Sequence, residues 1–375
     1  MRIALLGTRG IPANYGGFET FYENFGPLLA ARGHQVWVYN RPHVVGHRDL
    51  RTYRGVNLVH LPSVPSKHLE TITHTALSVI HALPRRYDIV YICGVGNASL
   101  AWIPRLTGAR VVLNVDSSDW RRAKWGRLPA TYLRLMERLS AATANTIVVD
   151  NEAIGQHYRQ DHGIEAVFVP YGANVIRNEG VEALEQWDLV KGRYVLWVGR
   201  LERETCLEEL IEAFGRAALP GFKLAIVGDA PFADDYRKQL QSIASADVVF
   251  TGRQHGEAYQ QLSCHAFAYV QTSPTSGTSP ALLDQMAFGN AVIARGTDSN
   301  REVVSEAGLT YEQSDPIDGL AAAIRRLYES DSLAEALRIK AVERVREHYS
   351  WERVTDIYEE LFERLIKRRR RETGV

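Results

Sequence analysis

Apolar residues along this chain gather in short runs rich in valine, isoleucine and tyrosine, set between longer stretches with helical spacing. Through residue 172 the runs are Ile3–Leu6, Val36–Tyr39, Val56–Leu61, Ile89–Cys93, Val111–Val115, Ile147–Val149 and Val167–Val169. Most lie about 20 to 35 residues apart, the rhythm of a strand, a crossover helix and a parallel strand. The rhythm restarts with Tyr194–Val198, Leu224–Val227, Val248–Phe250, Phe267–Val270 and Ala291–Ala294. Two α/β domains with doubly wound parallel sheets are therefore expected. The stretch between them is polar and holds no clear strand, so it reads as a linker. The expected boundaries are 1–172, linker 173–192, 193–345, and a C-terminal helical segment 346–375. After Leu333 the chain reads as helical, and Ala334, Leu337, Val342, Val345 and then Val354, Ile357, Tyr358, Leu361, Phe362 and Leu365 are expected to form an apolar stripe.

A length of 375 residues suits two domains, each able to bury a full core. Net charge is zero but unevenly shared. Residues 1–175 hold 19 Lys and Arg against 12 Asp and Glu, and the remainder 25 against 32. A basic N-terminal half can steer an anionic acceptor or rest on an anionic membrane; domain complementarity explains the asymmetry equally well. No nucleic-acid partner is expected. Cys93, Cys206 and Cys264 are too scattered for a disulfide framework or a zinc site, which fits a reducing cytoplasm. His34, His60, His74, His81, His157 and His265 show no metal-ligand spacing. No run approaches the ~18 apolar residues of a spanning helix. Membrane contact, if made, is peripheral, with the basic run Lys367–Arg371 available to acidic lipid.

The densest candidate chemistry lies in residues 266–294. The apolar run ends at Gln271, and most of the next nine residues are Thr, Ser or Gly. Pro280 fits a first helical position and Ser279 a cap, so a helix N-terminus would face this loop and favour a phosphate. Asp284 follows one turn further in. An ordinary strand-to-helix turn accounts for the same pattern. The spacing resembles the Glu-x7-Glu region of retaining glycosyltransferases of family four. Those enzymes have the GT-B fold, two Rossmann-like domains facing across a cleft. The resemblance implies that Asp284 holds the donor ribose; the first Glu of the pattern is replaced by Ser276. Gly277-Thr278-Ser279-Pro280-Ala281-Leu282-Leu283 is similar to the Gly-Thr-Asn/His-Pro-x-Leu string of a rhamnosyltransferase-like bacterial subgroup. That implies donor contacts from Ser276, Gly277, Thr278, Ser279, Ala281 and Leu282, and an L-rhamnosyl donor.

Further motifs follow in the expected order. The first loop, Gly7 to Thr20, is too long and ill-spaced for a dinucleotide fingerprint, and no acid ends the second strand. Within it Tyr15-Gly16-Gly17-Phe18-Glu19-Thr20 resembles the subgroup's glycine loop, implying that Gly16 and Gly17 approach the donor and Glu19 the acceptor. Asn114 to Trp125 is similar to the subgroup's Asp-x-x-x-Trp-x-Arg-x-Lys-Trp segment. Asp116 there reads as a sugar-hydroxyl partner with a catalytic role, or as a helix cap. Trp120, Arg121, Arg122 and Lys124 read as acceptor contacts, or the basic residues as a solvated face. After strand Tyr194–Val198, Gly199-Arg200-Leu201 matches the family's Gly-Arg-Leu-x-x-x-Lys-Gly, with Thr205 and Cys206 in place of Lys and Gly. Arg200 can stabilise a departing diphosphate, or pair with a nearby Glu. Gly252, in Thr251-Gly252-Arg253, matches a loop that brackets the donor base. No Asp-x-Asp triplet is present to bridge metal and diphosphate, so no metal and no cofactor is expected beyond the nucleoside diphosphate sugar.

The expected activity is thus retaining transfer of a hexosyl or deoxyhexosyl unit to a lipid-linked saccharide in surface polysaccharide synthesis, at the cytoplasmic face of the membrane. A nucleotide-sugar epimerase of the same fold and a non-catalytic nucleotide-sugar-binding protein are the alternatives.

Overall fold

The computed structural model describes residues 1–13, 16–46, 48–66, 69–115, 127–229, 234–274 and 277–373. Its described residues divide into two compact units, Met1–Tyr171 with Trp351–Val375, and Gly172–Ser350.

The first unit opens with β1 (Arg2–Leu6), α1 (Gly17–Ala31), β2 (Gln35–Asn40), α2 (Pro42–Val45), β3 (Thr52–Tyr53), β4 (Val56–His60) and α3 (Glu70–Ala82). It continues through β5 (Ile89–Cys93), β6 (Arg110–Val115), α4 (Arg127–Thr143), β7 (Thr146–Val149), α5 (Glu152–His162) and β8 (Val167–Phe168). The sheet order is β3-β4-β2-β1-β5-β6-β7-β8. All pairings are parallel except β3 with β4. Strands buried on both faces read as unbroken apolar runs, and every residue of β5 is buried.

The second unit runs α6 (Glu182–Glu185), β9 (Tyr194–Val198), α7 (Leu207–Ala217), β10 (Lys223–Val227), α8 (Asp234–Ile243), β11 (Val248–Gly252) and α9 (Gly256–Cys264). Then come β12 (Ala268–Gln271), α10 (Pro280–Ala287), β13 (Ala291–Arg295), α11 (Asp298–Val304), β14 (Gly308–Tyr311), α12 (Pro316–Tyr328) and α13 (Asp331–Arg344). The order β11-β10-β9-β12-β13-β14 is parallel throughout. Helix α7 shows how patterning sets the packing: Leu207, Leu210, Ile211 and Phe214, on one helical stripe, enter the core with Val195, Leu224 and Ile324.

Helix α14 (Trp351–Thr373) closes the first unit. Trp351, Tyr358 and Phe362 pack with Phe21, Phe25, Tyr91 and Tyr171, and the Tyr91 and Tyr358 hydroxyls stand 2.8 Å apart.

Four sequence expectations need correction. Two strands were missed: β3 has only two residues, too few for a period, and β14 begins with Gly and carries Thr, which dilutes its apolar signal. The stretch 173–192 groups with the second unit and contains α6, because Leu184 buries there. The apolar stripe is not one helix: a π turn at Val345–Tyr349 and an extended Ser350 separate α13 from α14. The change of unit falls at Trp351 rather than at 346.

Candidate active site

In each sheet the chain builds outward in both directions from a central pair, and ligands of open α/β sheets gather where that order reverses, at the carboxyl ends of the strands. In the second unit the pair is β9 and β12. Beyond β9 the chain turns through Gly199 and Arg200, and beyond β12 through Thr272. The two turns are pinned together. Trp197 Nε1 donates to Thr272 Oγ1 at 3.0 Å, and the Thr272 hydroxyl donates to the Thr205 carbonyl. From the neighbouring strand, Gly228 presses against Gly199 so closely that an added Cβ would stand 1.8 Å from the Gly199 carbonyl oxygen. Only glycine fits there, which brings three strand ends to one place.

Arg200 is half-exposed, and its Nη1 lies 3.0 Å from Glu202 Oε1. The simpler of its two readings, pairing with a nearby Glu, therefore holds in this structure. Such an exposed pair is worth about 0–1 kcal/mol, so a diphosphate can take Arg200 over at little cost. Thr205 donates its hydroxyl to the Glu202 carbonyl at 2.6 Å and ends a short 3-10 turn. Its proton serves the turn, where the resembled lysine would have offered a cation. Cys206 adopts φ 54 and ψ 43, a left-handed conformation. That explains glycine in the resembled pattern, and cysteine here bears a cost of roughly 1–2 kcal/mol.

Helix α10 begins as its sequence predicts: Pro280 is the first helical residue, and Ser279 Oγ accepts from the Leu282 N–H at 3.4 Å. Thr278 is buried, and Gly277 and Ala281 flank the helix start. Ser276 lies outside the described residues. Asp284, one turn into α10, keeps some surface open, but its carboxyl is surrounded by protein, and burial pushes its pKa up to about 7. Gly252, at the end of β11, accepts from the Gly228 N–H at 2.9 Å. Arg295 at the end of β13, missed in the sequence, is buried beside Tyr311 and paired with Glu209 of α7. Its only sequence signal was its place after a buried strand.

In the first unit the central pair is β1 and β5. The loop after β1 is held by Asn40, whose amide Nδ2 donates to the Ile11 carbonyl at 2.6 Å while its Oδ1 accepts from Ile11 N–H at 3.1 Å. Gly16 (φ 113) caps α1, and a Cβ there would lie 2.1 Å from Glu19 Oε2. Glu19 is buried and accepts from the Arg9 N–H at 2.8 Å, so its carboxylate closes this loop. Burial raises its pKa, and the Arg9 N–H bond opposes that rise. Gly17 accepts from the Tyr171 hydroxyl. Next to this loop stands a cluster the sequence did not reveal. Arg41 is 2% exposed, lies 3.2 Å from Glu70, and shares that carboxylate with His43 at 2.6 Å. His74 Nε2 meets the Asn40 carbonyl at 3.1 Å, and burial, with Arg41 nearby, pushes its pKa down to about 4. Asp116, Trp120, Arg121, Arg122 and Lys124 lie outside the described residues.

Residues 192–330 match the family described as glycosyl transferases group 1. The second unit is thus similar to the group 1 glycosyltransferases over most of its length. Residues 1–174 match a domain of unknown function, DUF1972. The chain is 21% identical to the O-antigen chain mannosyltransferase C of Escherichia coli over 95% of its own length and 96% of that protein's. Over the first two curated relatives it matches, it spans 64% and 47% of their length. Among solved structures, sucrose-phosphate synthase of Thermosynechococcus elongatus superposes with a TM-score of 0.83 at 21% identity, covering 98% of this chain and 99% of that one. HepE of Anabaena in complex with UDP gives 0.78 at 17% identity, covering 97% and 100%. The fold of this chain is GT-B.

Proposed function

We propose that this chain transfers a hexosyl or deoxyhexosyl unit, with retention, from a nucleoside diphosphate sugar to a lipid-linked saccharide in surface polysaccharide synthesis. One observation carries the reading. A permanently charged Arg200 and the N-terminus of α10 leave strands β9 and β12, which adjoin at the reversal of strand order in a group 1 unit. A fixed cation and a helix N-terminus are suited to the charge that grows on a departing diphosphate. Asp284 is the ribose partner, and Gly277, Thr278 and Ala281 bring backbone groups near the phosphates. No metal and no cofactor enters this scheme. The mannosyltransferase relative supports a hexose donor; the L-rhamnosyl alternative rests on the Gly277–Leu283 string alone.

The acceptor reading draws on charge. In the first unit Lys and Arg outnumber Asp and Glu 26 to 18, and in the second the ratio is 18 to 26. An anionic polyprenyl diphosphate at the inner face of a membrane suits the first unit, with Lys367–Arg371 as the lipid contact. No helix among the described residues is long and apolar enough to cross a membrane.

Thermal stabilisation by a panel of nucleoside diphosphates and their sugars, with and without magnesium, tests the donor site. A ligand at 100 times its Kd adds about 2.7 kcal/mol. A product that forms only when acceptor is added separates a transferase from an epimerase. Stabilisation without any transfer would favour a non-catalytic binder, the reading to which Ser276 and Thr205, in place of the resembled Glu and Lys, lend weight. Folded protein that responds to no nucleotide sugar would overturn the donor assignment.

A further inference from the structure

Away from the carboxyl edge of its sheet, the first unit gathers three ligand-type side chains from two helices. Glu137 projects from α4, and His157 and His162 from α5; their ligand atoms all lie within 4.8 Å of one another. Both imidazole Nε2 atoms stand 2.8 Å from the same oxygen, Glu137 Oε1. The carboxylate is nearly fully buried and the rings are each 13% exposed. On its other side, His157 Nδ1 lies 3.1 Å from Asp161 Oδ2.

That last contact decides the electronics. A neutral imidazole carries one N–H and one lone pair. With the Nδ1 proton of His157 turned toward Asp161, its Nε2 presents a lone pair to a carboxylate oxygen, and two such atoms at 2.8 Å repel unless a proton or a metal cation stands between them. A carboxylate behind the far nitrogen of a histidine is also the usual outer support of a metal ligand.

We propose that Glu137, His157 and His162 form a binding site for a divalent transition metal of the zinc class, with Asp161 as outer support. Two imidazoles and one carboxylate are a donor set that zinc accepts, leaving a fourth position for water. Bond lengths of about 2.0–2.2 Å put tetrahedral ligand atoms roughly 3.3 Å apart, so each 2.8 Å contact opens by about half an ångström on loading. The site ties α4 to α5 and takes no part in the transfer proposed above. Histidines at 157 and 162 are five apart, and their carboxylate comes from 20 residues upstream; no common ligand spacing covers that.

The test uses the full chain, purified without a polyhistidine tag and stripped of metal. Cobalt(II) titration should give visible bands of a low-coordinate site that saturate at one equivalent, and zinc should displace them. His157→Gln and His162→Gln should each weaken zinc binding by at least about 100-fold, and Asp161→Asn by about 10- to 100-fold. Asp161 is half-exposed and not a ligand, so its variant stays informative if a histidine variant fails to fold. Folded wild-type protein that binds neither ion at 100 μM, or binding unchanged in the histidine variants, would overturn the proposal. Protons would then be what bridges the three groups.

Discussion

Asp284 offers a quantitative handle on the proposed donor site. Its carboxyl has an ordinary value of 3.8, and burial pushes it up to about 7. Below about pH 4 both folded and unfolded chains hold the proton, and the group does not affect stability. Between pH 4 and 7 the unfolded chain releases it while the folded chain keeps it, so stability is lost as pH rises through that window. The shift corresponds to at most about 4 kcal/mol. Asp284→Asn removes the titration at nearly constant volume. An amide brings its own burial cost of about 1–3 kcal/mol, so the pH dependence is the readout. Urea unfolding of the second unit should show wild-type stability falling from pH 4.5 to 8 by up to ~4 kcal/mol relative to Asp284→Asn. The ligand gives a second arm. In the proposed site ribose hydroxyls would donate to the ionised carboxylate, so binding of an intact nucleotide sugar, whose diphosphate does not titrate near neutrality, should tighten as pH rises from 5.5 to 7.5. The limit is about tenfold per pH step below the folded value, and the variant should be flat. Parallel stability curves for the two proteins would refute the argument that burial holds the proton.

Other outcomes follow from particular contacts. Arg200→Ala should lower turnover about 100-fold, the loss of one strong preorganised contact, and near-normal turnover in a steady-state assay would sink its role. Glu202→Gln, which frees Arg200 from a competing carboxylate, should tighten donor binding up to about fivefold by calorimetric titration. Gly228→Ala must find room where a Cβ would meet the Gly199 carbonyl at 1.8 Å; a loss of more than about 3 kcal/mol in the second unit and of nucleotide binding is expected. Tyr358→Ala should cost the first unit about 3–5 kcal/mol in denaturant unfolding, because it empties a buried aromatic site and strands the Tyr91 hydroxyl.

Much of the architecture was legible because parallel strands buried on both faces must be apolar throughout. The runs Ile89–Cys93 and Tyr194–Val198 coincide with β5 and β9. The start of α10 was legible too, since Ser279 and Pro280 act within one turn. What escaped depends on long-range geometry. Arg41, Glu70 and His74 meet across about 30 residues, and neither their burial nor their pairing has a local signature. Glu137 and its histidines escaped for the same reason. The state of Arg200 was open in the sequence because both a diphosphate and Glu202 suit the same guanidinium. Thr205 and Cys206 show the converse: the side chains differ from the resembled lysine and glycine, yet the backbone still makes the left-handed turn.

The aromatic seam between α14 and the rest of the first unit bears on how this chain is made. Phe21, Phe25 and Tyr91 emerge early from a ribosome, but Trp351, Tyr358 and Phe362, which cover them, are synthesised only after the whole second unit. At about 5–20 residues per second, the roughly 200 residues after Tyr171 take about 10–40 s. For that interval the nascent first unit carries an uncovered apolar face, a ready target for a chaperone. The second unit, contiguous in sequence, can fold while its neighbour waits.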